Sequence, residues 1–304
     1  MDLSKLITES RNIKPNSLNA YLIALKKLNN GDKIEDLKFL ENKKEVNEKL
    51  DKLALSTQKN YLTAVLVALQ AVEEPNETIL TYYRDKLDQL NTEYNNKIKT
   101  NSKSETQEKN WTTIKELNKI RRDYEKEVKN YEISTKEKLT PKNKHLLQEY
   151  LVASLYTLKP PIRLDYAPME VIKDEKKAKE GINYLINKGR NKKYFLIQEF
   201  KTSKKHGTQK MEIPPALNTI INLWLKHNDT PYFLLNARGQ ALSANGLGKL
   251  ITKVFKATGK QITLNILRHV YISEHVDLEA IKKQADLAKD MMHSVSQQQD
   301  YAKV

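Results

Sequence analysis

The stretch K-Y-F-L-I-Q-E-F-K-T-S-K-K-H-G-T-Q-K-M-E-I-P, Lys193 to Pro214, interrupts a chain that otherwise reads as helix. Its two ends are short runs with aromatic and aliphatic residues, and K-T-S-K-K-H-G between them has the composition of a turn. The run before it, I-N-Y-L-I-N-K (Ile182 to Lys188), has the same character and is separated from Lys193 by G-R-N-K. The three runs predict three antiparallel strands joined by tight turns.

On either side the apolar period changes to that of a helix. K-P-N-S-L-N-A-Y-L-I-A-L-K-K-L places Leu18, Tyr21, Leu22, Leu25 and Leu28 on one face, with Pro15 near the start. A second helix follows Ser56 as N-cap, with Tyr61, Leu62, Val65, Leu66, Leu69 and Val72 as its stripe; Pro75 ends it, and a more polar helix runs from Thr78 to Lys97. K-T-N-S-K-S-E-T-Q-E-K, Lys99 to Lys109, lacks aliphatic residues and reads as a linker. Beyond it T-I-K-E, Thr113 to Glu116, has the form of a capping box for a helix reaching Glu132. Another helix, Pro141 to Leu158, stops at Pro160 and Pro161, and four more follow the strands: Ala216–His227, Ser243–Lys256, Leu264–His275 and Leu278–Met291. The fold class is therefore mainly α with a small three-stranded antiparallel sheet, in two domains: 1–98, a linker 99–109, and 110–304.

With 53 Lys and Arg against 38 Asp and Glu, the chain carries a formal charge of +15. Such a surface attracts a polyanion at long range, most simply nucleic acid. An anionic membrane is a poorer match, because no basic cluster sits beside an apolar anchor. The longest apolar-rich stretch, Tyr61 to Val72, is short of the roughly 20 residues that a span needs. The charged N-terminus M-D-L-S-K-L-I-T-E-S does not read as a signal peptide. There is no cysteine, hence no disulfide or thiolate chemistry. A soluble, intracellular protein is expected.

Several chemistries are set aside by their missing motifs. The sequence has no G-x-x-x-x-G-K-[ST] loop, no G-x-G-x-x-G after a strand, no H-E-x-x-H and no G-x-S-x-G. Neither ATP, a metal nor another cofactor is expected. What remains are basic residues, a histidine and a tyrosine in four places. S-L-Y-T-L-K-P-P-I-R-L-D-Y puts Arg163 just after a helix and a double proline. E-F-K-T-S-K-K-H-G puts Lys201 at the end of a strand, entering the hairpin turn. N-I-L-R-H-V-Y-I-S puts Arg268 and His269 on an apolar helix, where a charge seldom sits unpaired. H-S-V-S-Q-Q-Q-D-Y closes the chain with His293 and Tyr301.

In this order and setting, the residues from Trp111 to Tyr301 resemble the tyrosine recombinase (integrase) family and its relatives, the type IB topoisomerases. S-T-Q-K-N-Y-L-T-A-V, from Ser56, looks like a helix of that family's core-binding domain. The resemblance implies a two-domain, C-shaped DNA clamp: a helical DNA-binding domain over 1–98 and a catalytic domain over 110–304. It implies that Arg163 and Arg268 clamp the scissile phosphate, that His293 donates a hydrogen bond or manages a proton, and that Lys201 protonates the leaving 5′-oxygen. Tyr301 would become the covalent 3′-phosphotyrosine. The residue types suit the task. A tyrosine hydroxyl with a pKa of about 10 is a poor nucleophile at neutral pH. Preorganised cations can offset the charge that grows on the phosphate, and arginine binds two oxygens without deprotonating.

Two positions depart from the family pattern. Three residues before the second arginine it has a histidine or lysine, where this chain has Asn265; an amide can donate to a phosphate but carries no charge. The acidic residue expected soon after the first arginine falls at Asp165 or Tyr166, and Asp165 would orient Arg163 or a neighbour. His269 is expected to support the site by packing. Lys204 and Lys205 compete with Lys201 within the same turn. Only three residues follow Tyr301 in this sequence, so a tail of the kind by which family members join a neighbouring protomer is not expected from it, whether by nature or by truncation.

The expected function is site-specific DNA recombination for integration or excision of a viral or mobile genome; P-P-I-R-L-D-Y and K-T-S-K-K-H-G look like variants found in large DNA viruses. The expected partner is double-stranded DNA, with a homotetramer on synapsed sites and a monomer or weak oligomer off DNA, in a host nucleus, viral factory or nucleoid. Two alternatives stand beside it: a type IB topoisomerase, and a DNA-binding protein on the same scaffold that no longer cleaves.

Overall fold

The computed structural model describes residues 2–100 and 102–301, apart from the side chains of Lys99 and Gln299. The chain divides into two compact units at the Lys103–Ser104 junction.

The first unit is helical: α1 (Leu3–Ser10), α2 (Pro15–Leu28), a 3-10 turn at Lys38–Glu41, α3 (Lys43–Asp51), α4 (Leu55–Gln70) and α5 (Glu77–Lys99). α4 is the core helix. Besides Leu62, Val65 and Leu69 it buries Ala64, Val67 and Ala68, so two of its faces are covered where the sequence pattern showed one stripe. Its N-cap is Ala54, with no side-chain cap; Ser56 lies inside the first turn, contrary to expectation. Gln58, within that first turn, reaches back and donates from Nε2 to Leu53 O at 2.9 Å. α5 packs on α4 through Ile79, Leu80 and the fully buried Tyr83, whose hydroxyl donates to Leu40 O at 2.8 Å. A buried phenol needs such an acceptor.

The second unit opens with α6 (Glu105–Asn110), a short helix inside the stretch expected as linker. Ser104 and Gln107 form a reciprocal capping box there, which explains why a polar, non-aliphatic segment can turn helical. α7 (Ile114–Asn130) starts at Thr113, but its Glu116 carboxylate accepts from Thr112 Oγ1 at 2.6 Å, so only half of the expected box forms. α8 (Pro141–Leu155) is buried on almost every side and forms the centre of this unit.

The sheet corrects the sequence expectation. It has four strands rather than three, in the order β1 (Met169–Ile172), β2 (Asn183–Asn187), β3 (Lys193–Ile197), β4 (Gln209–Glu212). It is mixed: β1 pairs parallel to β2, while β2–β3 and β3–β4 are antiparallel. The outer side of β1 meets the 231–233 segment, through Val171 N to Pro231 O at 2.7 Å and Phe233 N to Met169 O at 2.8 Å. The β3–β4 connection is not a tight turn either. It carries the one-turn helix α9 (Ser203–His206), ended by Gly207 at φ 64°. That left-handed conformation strains any residue with a Cβ.

α10 (Pro215–Lys226), α11 (Ala244–Val254) and α12 (Leu264–His275) complete the core around Trp224, Phe195, Phe233 and Phe255. Last come α13 (Leu278–Asp290) and α14 (Val295–Tyr301). α13 buries only Ala288 and leaves Ile281, Leu287 and its C-cap Met291 half exposed. Among the described residues no helix is long and apolar enough to cross a membrane.

Candidate nucleic-acid site

The loop after α8 is fixed at both ends. Pro160 and Pro161 cannot continue a helix, because neither has an N–H to donate. Tyr156, the C-cap of α8, reaches across the loop and donates from its hydroxyl to Arg163 O at 3.1 Å. Arg268 reaches in from α12 and donates Nη1–H to Pro161 O at 2.8 Å. The loop is thus tied to the helix on one side and to α12 on the other, and the exposed Arg163 stands on it.

α12 is built to hold Arg268 there. Thr263 caps it, and Ile266, Leu267 and Val270 face the core. Asn265, Arg268, His269 and Ile272 occupy positions i, i+3, i+4 and i+7, a single helical face. Arg268 is half-buried, Asn265 and His269 exposed. His269 is exposed, and the core positions of this turn are taken by Ile266, Leu267 and Val270.

Asp165 is where the two arginines meet electrostatically. Burial pushes its carboxyl above the ordinary carboxylate range, and the charges of Arg163 and then Arg268 pull it back only in part. Burial likewise drives the Tyr156 hydroxyl well above its usual range, with the Arg268 charge opposing. Neither arginine comes within ion-pair distance of a carboxylate among the described residues, so both guanidinium groups keep donors to offer.

A residue the sequence reading passed over ties the strands to this loop. Asn183, at the start of β2 and only 6% exposed, makes four hydrogen bonds with one amide. Its Nδ2 donates to Asp165 O and Glu199 O, and its Oδ1 accepts from Gln198 N and Glu199 N. The β3–β4 connection, with Lys201 two residues further on, is anchored to the Arg163–Asp165 loop through this side chain. Lys201 itself is exposed, as are Lys204 and Lys205 on the same connection. A cavity of about 330 Å³ beneath this anchor is lined by Asp165, Asn183 and Glu199 among others.

A second feature missed in the sequence lies beside Asn265. α11 presents Asn245, Lys249 and Thr252 at i, i+4 and i+7, opposite its buried Leu247, Leu250, Ile251 and Val254. With Gln261, Thr263 and Asn265 they line an open groove of about 520 Å³ that reaches Leu164, the neighbour of Arg163. Its amide, hydroxyl and ammonium groups are the types that bind phosphate and base edges. The polar stripe N-x-x-x-K-x-x-T was the available signal.

His293 and Tyr301 form a separate pair. Their rings stack with centroids 5.8 Å apart. Met292, left-handed at φ 57°, ends α13 and turns the chain so that His293 N closes back on Ala288 O at 3.0 Å. His293 Nε2 is buried and meets no hydrogen-bond partner among the described residues, while Tyr301 is 66% exposed. Among those residues no hydrogen bond, ion pair or ring contact joins this pair to Arg163, Lys201 or Arg268. The three residues after Tyr301, on which the expected lack of a tail rests, lie outside the described residues. No group of three or more metal-ligating side chains is found among the described residues.

No family model and no curated protein matches the chain. Among solved structures it is similar to one titled "Crystal structure of XerA recombinase", with 11% identity and a TM-score of 0.36, covering all of this chain and 93% of that one. A likeness at this level carries no argument about fold or activity.

Proposed function

We propose that this protein breaks and rejoins DNA strands as a site-specific recombinase, through a covalent link between Tyr301 and a 3′-phosphate. The observation that carries the reading is the junction of loop and helix at Pro161: it holds Arg163 and Arg268 around Asp165, with Arg268 oriented by a backbone carbonyl and its remaining donors free for a phosphate. The basic, polar groove beside Asn265 and the formal charge of +15 support a nucleic-acid partner.

In this reading the Tyr301 oxygen attacks phosphorus, its proton passes to His293 or solvent, and the bond to the 5′-oxygen breaks as Lys201 supplies that oxygen's proton. Charge on the non-bridging oxygens is met by the two arginines. The phosphodiester energy is kept in the tyrosyl ester, and attack by a 5′-hydroxyl reverses the step. Tyr301 must come to the arginines for this to occur. α13 buries a single side chain, Ala288, and is weakly anchored, which makes it a natural place for that movement.

A second reading is favoured by Asn265 and by the separate location of the His293–Tyr301 pair: a DNA-binding protein that does not cleave. One experiment separates them. The protein is incubated with nicked duplex DNA carrying ends of a candidate element, denatured in detergent, and run beside Tyr301→Phe. A shifted band that disappears in the variant supports strand cleavage. Tight, salt-sensitive binding with no band on specific or random DNA would replace cleavage with binding alone.

A further inference from the structure

Away from the arginines, α8, α10, α11 and the 235–239 segment enclose an open apolar pocket of about 540 Å³. That is the size range of small-molecule sites. Its floor contains Trp224, Leu235, Leu242 and Leu250, all buried. The polar groups among them are already spent. Gln148 donates to Leu235 O at 2.9 Å and accepts from Leu235 N at 2.8 Å, and the Trp224 indole donates to Phe233 O at 2.7 Å. A guest that reaches the floor meets mostly apolar side chains and polar groups already engaged with the backbone, so its inner part is apolar.

The mouth is different. Lys144, His145, Lys249 and Lys253 stand around it. One carboxylate, the buried Glu149, lies under this rim, and its Oε1 is already 2.8 Å from Lys253 Nζ and 3.1 Å from His145 Nε2. Among the described residues Lys144 pairs only with the exposed Asp229, at 3.9 Å. Lys249 makes no hydrogen bond or ion pair with a described residue. Positive charge therefore exceeds negative at the opening, and two of the ammonium groups are available to a ligand.

We propose that this pocket binds a small amphipathic organic anion: a fused-ring or branched aliphatic body inside, a carboxylate, sulfonate or phosphate at the mouth. Lys144 and Lys249 hold the anionic end, and the locked Gln148–Leu235 wall keeps the cavity open without the guest. Because Lys249 also lines the groove beside Asn265, a bound anion competes there with a phosphate backbone.

The test uses the full chain and two probes of one shape: 1-anilinonaphthalene-8-sulfonate, which is anionic, and N-phenyl-1-naphthylamine, which is neutral. Fluorescence titration and calorimetry should show one saturable site for the anion. Lys144→Glu with Lys249→Glu should weaken the anion about tenfold and leave the neutral probe within about twofold. Ala237→Trp, on the exposed rim, should block both probes while circular dichroism stays unchanged. Non-saturable binding, or affinities indifferent to Ala237→Trp, would overturn the pocket. Equal weakening of both probes by the charge reversals would overturn the assignment of an anionic ligand. Either result is independent of whether Tyr301 cleaves DNA.

Discussion

Asn183 Nδ2 donates to the backbone oxygen of Asp165 at 3.0 Å, and through the same nitrogen to Glu199 O at 2.9 Å. One amide thus joins the start of β2, the arginine-bearing loop and the first residues of the β3–β4 connection. Because the residue is buried, removing it leaves two carbonyls and the amides of Gln198 and Glu199 without partners. Buried groups deprived of partners cost on the order of 1–3 kcal/mol each, partly recovered if water enters.

Asn183→Leu should therefore lower the stability of the second unit by about 2–4 kcal/mol, read as a reduced urea midpoint with an unchanged slope. Asn183→Asp should cost as much at neutral pH, since it keeps the acceptor and replaces the donor with a charge facing two carbonyls. Its defect should shrink as the pH falls and the carboxyl regains a proton. Equal stability of wild type and Asn183→Leu would show that the loop is held by Tyr156 and Arg268 alone.

Asp165 gives a pH prediction whose sign follows from burial. Its folded pKa is raised, so between the unfolded carboxylate value and that raised value the folded state binds more protons than the unfolded one. Its contribution to stability is fully present below the unfolded value and is lost as the pH rises through the folded one. Asp165→Asn should accordingly raise stability at neutral pH, with the gain vanishing in acid. Unfolding midpoints of the two proteins at pH 3.5 and pH 7 check this. A loss of stability at pH 7 would mean that attraction by Arg163 and Arg268 outweighs desolvation.

Met292 holds a left-handed conformation that a Cβ disfavours by about 1–2 kcal/mol, and its side chain is 95% exposed, so no packing compensates. Met292→Gly should slow hydrogen exchange at the Met292 and His293 amides, which close the end of α13. A gain of about 1 kcal/mol corresponds to roughly fivefold in protection. Unchanged exchange would place the restraint on this turn elsewhere.

Much of this architecture is legible in the sequence. The sequence predicts a helix over Leu264–His275, and the structure has it with those bounds, capped by Thr263. β1 was not legible: Met169–Ile172 follows Pro168, has four residues, and exists as a strand only through its parallel partner and the 231–233 segment. The capping box at Ser104 was overlooked because the composition around it is that of a linker. At the candidate site, sequence order marks residue types but not their ties. That Arg268 is oriented by a proline carbonyl depends on packing between segments 107 residues apart, and that one asparagine pins two loops depends on contacts 18 and 16 residues away.

Arg268 permits the sharpest test of the proposed chemistry. Its Nη1 is committed to Pro161 O, yet a guanidinium has five donors in a rigid fork, so a phosphate can still be bound by the others. A lysine at this position has one ammonium and no second arm. Arg268→Ala should reduce the slope of log K against log salt for duplex DNA by about 1, and should lower covalent trapping by about 10²-fold or more. Arg268→Lys should restore most of the salt slope, because the charge returns, but little of the trapping, because orientation does not. If lysine rescued both, the fork geometry at Pro161 would be irrelevant, and Arg268 would act on DNA only as a charge.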